Sequence, residues 1–204
     1  MINSITHGFG ALFSVAGLVV LVVLSALQGD PWQVVAVSIY GSTMVLLYMA
    51  SMLYHGVRRL RLKYFFEILD HIGIYQLIAG TYTPFILISL GGTLGWTLLG
   101  IIWTLAVFGI ALKPFLVYRL RRLSPVIYLA MGWMVVVVIP EIFINVPAIG
   151  LIMLAAGGLS YSVGMLFYVW RKLPYHHTVW HMFVLCGSTC HYFAVLSVVL
   201  SVTG

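Results

Sequence analysis

His177 and His181 stand four residues apart, so on a helix both imidazoles project from one face and can share one ion. Pairs of this kind bind zinc in helical metalloenzymes. His55, from elsewhere in the chain, supplies a third nitrogen and leaves the fourth tetrahedral position to water. That is the arrangement of catalytic rather than structural zinc. Asp70 is the carboxylate placed to accept a proton from that water, or to orient it. Ser51, one turn before His55, faces the same way and can bind a substrate carbonyl or hydrogen-bond a ligand.

Spacing alone leaves other readings open. A histidine near a helix end, such as His7 or His176, also suits a membrane interface, where headgroups wet it. Asp70 could simply favour the positive N-terminal end of a helix, and Glu67 could do the same or balance nearby arginines. His191 lies about 15 Å along the helix from His181, at 1.5 Å per residue, and can hydrogen-bond a neighbouring helix instead.

What must position these side chains follows from composition. Hydrophobic residues make up 63% of the 204 and charged residues 7%, against roughly 25% charged in soluble domains. With a mean hydropathy of +1.13, most of the surface must face lipid. That excludes a nucleic-acid binder, despite a net charge of +6. A spanning helix needs about 20 apolar residues, and the apolar runs fall at 8–28, 32–55, 67–90, 93–112, 124–145, 148–170 and 177–202. The expected fold is an all-α polytopic membrane protein, a single seven-transmembrane helix bundle over 1–204. The β-branched stretches belong to these long runs, and only helices satisfy their own backbone in lipid. The first run has no basic region ahead of it, so it reads as a permanent helix rather than a signal peptide.

All ten Lys and Arg fall after the second, fourth and sixth runs: Arg58, Arg59, Arg61 and Lys63; Lys113, Arg119, Arg121 and Arg122; Arg171 and Lys172. The positive-inside rule then places the N-terminus in the cytoplasm and the C-terminus outside. The same loops suit anionic headgroups, making membrane lipids the expected partners. Six of the seven histidines then gather at one membrane level, and an ionisable residue inside a span calls for a partner or a function. Pro84 and Pro140 are expected to kink their helices. Cys186 and Cys190, four apart on one face, read as buried free thiols rather than a disulfide.

The motifs carry a resemblance. Asn3-Ser4-Ile5-Thr6-His7-Gly8, Ser51-Met52-Leu53-Tyr54-His55, Asp70-His71-Ile72-Gly73-Ile74-Tyr75, Ala79-Gly80-Thr81-Tyr82-Thr83-Pro84 and His177-Thr178-Val179-Trp180-His181 resemble the bacterial hemolysin III family. That family lies within the superfamily of progestin and adipoQ receptors, and the resemblance covers essentially the whole chain. It implies zinc ligands at His55, His177 and His181, with Ser51 and Asp70 as their polar companions. It also implies a multi-pass protein of a bacterial cytoplasmic (inner) membrane. The eukaryotic receptors carry a long N-terminal region that this sequence lacks, so adiponectin-type receptor function is not carried over.

Two functions are then expected about equally. One is a zinc-dependent intramembrane hydrolase of a lipid amide or ester, ceramidase-like, with lipid tails in the bundle interior. There Asp70 handles the proton and Ser51 steadies the oxyanion. The other is a non-enzymatic regulator or sensor of membrane homeostasis in which zinc staples helices. A pore-forming cytolysin is less favoured, because so apolar a chain has no soluble form in which to reach another cell.

Overall fold

Every backbone polar group in a lipid-facing segment must find its partner within the segment, and these apolar runs are accordingly helical. The computed structural model describes residues 2–116 and 123–201. Arg119, Arg121 and Arg122 of the second basic cluster lie outside the described residues, as does Val202 at the end of the last predicted span. Among the described residues, seven helices are long and apolar enough to cross a membrane.

Helix α1 is Ile2–Gln28 and ends at Gly29, whose φ of +79° suits glycine. Helix α2, Pro31–Gly56, begins on an Asp30 cap that accepts the Trp32 N–H at 2.9 Å, with Pro31 at the first position. Helix α3, Leu60–Pro84, continues into a π-helical turn, Phe85–Leu90, and the chain reverses through Gly91 and Gly92 at φ +58° and +59°. Helix α4 is Gly92–Leu116. The fifth span has three parts: α5, Ser124–Gly132; a 3-10 stretch, Trp133–Val138; and α6, Ile139–Asn145. Helices α7, Ala148–Val169, and α8, His176–Ser201, complete the bundle. Helix α1 packs on α2 and α8, α2 on α3, α3 on α4, and α7 on α8.

Two boundaries differ from the sequence reading in ways that bear on the chemistry. Helix α1 starts at Ile2 rather than near residue 8, which draws His7 into its second turn. Helix α3 starts at Leu60 rather than 67, so Arg61 and Lys63 are helical and Asp70 lies three turns in. The helix dipole acts within the first turn, so it gives no account of Asp70.

At both prolines the helix changes type. Pro84 is followed by the π turn, and Pro140 opens α6 directly after the 3-10 stretch. The 3-10 stretch is braced from α3. The Tyr82 hydroxyl lies 2.9 and 2.8 Å from the Met131 and Gly132 carbonyls and accepts the Val135 N–H at 2.8 Å. Tyr82→Phe strands these buried groups, and a loss of about 1–3 kcal/mol is expected. A lowered thermal unfolding temperature in detergent, with helical content unchanged before the transition, is the measurement.

Cys186 and Cys190 are both free, as the spacing suggested, but Cys186 is exposed and Cys190 half-buried. Their shared face looks outward, where lipid is as suitable a neighbour for a thiol as a protein core.

Candidate metal centre

The ligand-type side chains come from the two ends of the chain. His55 stands in the last turn of α2, and His177 and His181 occupy the first two turns of α8. The His177 Nε2 lies 3.3 Å from the Nε2 of His55 and 3.2 Å from that of His181. One ligand atom from each of the three lies within 4.8 Å of the others. His181 is buried, while His55 and His177 are half-buried, so the cluster is walled on the bundle side and open on another.

The two separations at His177 fit a metal. Zinc–nitrogen bonds of about 2.0–2.1 Å at tetrahedral angles put ligand nitrogens about 3.3–3.4 Å apart. Hydrogen bonding fits less well. An imidazole Nε2 carries either one proton or one lone pair, so three that converge cannot all satisfy one another. The His181 Nδ1 is buried with no hydrogen-bond partner, which leaves that ring with its Nε2 contact alone. Three neutral nitrogen donors of this kind suit zinc and its neighbours in the transition series.

Ser51 and Asp70 are brought together. Ser51 is fully buried one turn before His55, and its hydroxyl hydrogen-bonds the Asp70 carboxylate. The charges facing that carboxylate are Glu67 on its own helix and Lys113 of α4. The remaining histidines separate. His71 Nδ1 lies 2.7 Å from the Glu67 carbonyl on its own helix, and His176 stacks edge-on beside His177 without joining the ligand group. His191 Nε2 lies 3.3 Å from the Leu154 carbonyl of α7, the neighbouring-helix bond that its depth allowed. His7 does reach the cluster, its ring stacked on that of His181.

The sequence of the Haemolysin-III related family matches residues 1–192 of this chain. The chain belongs to that family. Among similar haemolysin III proteins, Hemolysin-3 of Bacillus cereus is 48% identical over 198 residues, covering 97% of this chain and 90% of that protein. The Hemolysin-3 homolog of Bacillus subtilis (strain 168) is 47% identical over 194 residues, 95% of this chain and 91% of that one. More distantly, the Monocyte to macrophage differentiation factor of Homo sapiens is 30% identical over 200 residues, 95% of this chain and 81% of its own. This haemolysin III-related protein is thus a multi-pass membrane protein with bacterial relatives and a three-histidine cluster able to hold a metal.

Two features beside the centre escaped the sequence. Lys113, grouped above with the basic loops, is 3% exposed inside α4. Its ammonium donates to Ser124 Oγ at 2.9 Å and Tyr128 Oη at 3.3 Å, and Tyr128 in turn donates to the His71 carbonyl at 3.2 Å. The only hint was its place directly against the end of the fourth apolar run, six residues ahead of Arg119. The second feature is a cavity of about 390 Å³ among α3, the fifth span, α7 and α8, within the range of small-molecule sites. Ile78, Phe85, Val138, Ile142 and Leu154 make its wall apolar, and Trp180, one residue before His181, joins it to the histidine end.

Proposed function

We propose that this protein is an intramembrane hydrolase of a lipid amide or ester that works with a zinc ion held by His55, His177 and His181. The observation that carries the reading is the convergence of three imidazoles from α2 and α8, one ligand nitrogen of each within 4.8 Å of the others, with Asp70 joined by a hydrogen bond to Ser51, one turn before His55. The orientation we assign puts this end of the bundle in the cytoplasm, since Arg58, Arg59, Arg171 and Lys172 lie there, in a bacterial inner membrane. The scissile bond then sits at the level of the cytoplasmic leaflet, and the apolar cavity takes the tail of its lipid.

When bound, zinc supplies Lewis acidity toward a carbonyl oxygen and toward water. The chain does the rest. Asp70 takes the proton of the water that adds to the carbonyl carbon, and returns it to the departing amine or alcohol as the C–N or C–O bond breaks. The Ser51 hydroxyl donates a hydrogen bond to Asp70, so we assign it to orienting that carboxylate rather than to an oxyanion. The buried wall of His181, Tyr48 and Ser51 keeps bulk water from the inner side.

The test is to incubate zinc-loaded protein in detergent with N-acyl and O-acyl lipids and measure released fatty acid by mass spectrometry. Release that disappears on chelation and returns with zinc supports the reading. No release from any lipid at full zinc loading sinks it.

One observation favours the second reading, a regulator with a structural metal. Helices α2 and α8 touch little directly, so an ion between His55 and the α8 pair would staple two elements that otherwise meet mainly through α1. In that case chelation lowers thermal stability while no lipid is turned over.

A further inference from the structure

The first turns of α1 carry three contacts that face the two ligand-bearing helices. The Ser4 hydroxyl donates to the Met52 carbonyl of α2 at 2.9 Å, one turn before His55. The Thr178 hydroxyl of α8, next to His177, donates to Asn3 Oδ1 at 2.7 Å. Between them, the His7 ring is stacked on His181 at 3.7 Å and 21°, with the Tyr48 ring of α2 edge-on at 5.1 Å and 89°.

His7 is the informative member. It is 3% exposed, and neither of its ring nitrogens has a hydrogen-bond partner. A buried imidazole used for its polar atoms would be expected to bond at least one of them. What His7 contributes in this arrangement is a flat face against a ligand ring. The junction is also tight. A Cβ on Gly10, one turn further along α1, would lie 2.7 Å from the Tyr48 ring and 2.9 Å from Leu185 of α8. At Gly10 helix α1 is therefore held closely against both α2 and α8.

We infer that the segment Asn3–Gly10 of α1 is the positioning element of the metal centre, with His7, stacked on His181 and met edge-on by Tyr48, fixing the plane of the His181 ring and the separation of His55 from the α8 pair. This rests on the metal reading of His55, His177 and His181. No ligand would come from α1 itself. Its effect acts through ligand geometry, as outer contacts of metal sites do, where losses of about 10–100-fold in affinity are usual.

The test uses full-length protein in detergent, with zinc affinity from chelator competition and cobalt(II) as a spectroscopic probe of the same site. His7→Ala is expected to weaken zinc binding about 10–100-fold and to change the visible cobalt bands, at unchanged helicity and one metal per chain. His7→Phe, which keeps a ring face, recovers most of the affinity and the native bands. Gly10→Ala weakens binding in the same direction. Asn3→Ala and Thr178→Val each weaken it, and the double variant is no worse than the weaker single, because both remove one bond. Native binding with His7→Ala and Gly10→Ala undiminished overturns the inference alone. His7→Phe falling as far as His7→Ala also overturns it, since a ring nitrogen would then be in use. Native protein that takes up neither zinc nor cobalt overturns the metal reading itself, and this inference with it.

Discussion

Asp70→Asn is expected to keep about one zinc per chain and to lower lipid hydrolysis by about 10²–10⁴-fold, the usual contribution of a positioned general base. The amide has the shape of the carboxylate and its oxygen still accepts the Ser51 hydroxyl, so packing at the α2–α3 contact is preserved. What disappears is the ability to take a proton. Metal content and released fatty acid, measured on the same preparation, separate the two functions. Retained zinc with lost turnover is the hydrolase result. Retained zinc with unchanged turnover removes Asp70 from the chemistry. For the staple, Asp70→Asn changes neither metal content nor stability.

The second large effect is loss of metal. His177→Ala or His181→Ala leaves two nitrogens from the three, and a zinc content falling from about one per chain to near none is expected. Replacing a mere outer contact costs about 10–100-fold in affinity, and losing a ligand exceeds that. The two variants differ in stability. His181 is fully buried between His7 and His55, so its truncation also opens a void, whereas His177 is half-buried. Thermal unfolding with and without zinc reads the difference. Native protein gains stability on loading, because the ion binds only the folded chain, and both variants lose that gain. A His177→Ala protein that still holds stoichiometric zinc would remove the ligand assignment.

The spans were legible because the chain marks them twice, by apolar runs and by the Gly, Pro and charged breaks between them. The i, i+4 pair at His177 and His181 was legible for the same kind of reason, since helical spacing alone puts both on one face. His55 was legible at longer range, because the basic loops put the end of the second run and the start of the seventh at the same membrane level. The rest was hidden by the solvent. In water a helix shows its buried face by contrast with a polar one. In lipid both faces are apolar, so hydropathy does not separate interior from exterior. The Cys186 face read as buried for that reason and looks outward. Lys113 misled in the opposite sense: a lysine at the end of a span reads as an anchor, yet Ser124 and Tyr128 of the next helix receive it inside the bundle. His7 was visible as a residue but not as a neighbour of His181, because its place depends on how far α1 extends toward its N-terminus.

The 3-10 stretch in the fifth span has a geometric consequence. Six residues at 3.0 per turn complete two turns, where an α-helix would complete about one and two-thirds. The half that follows is therefore rotated by about 120° and advanced by about 3 Å relative to an unbroken helix. That phase, more than the identity of any one side chain, sets which edge of Ile139–Asn145 meets the cavity, where Ile139, Ile142 and Phe143 now line the wall. Exchanges among the valines at 135–138 preserve the phase and leave the wall intact. A one-residue insertion there turns the half that follows by about 120° and presents a different edge, without altering the hydropathy of the span.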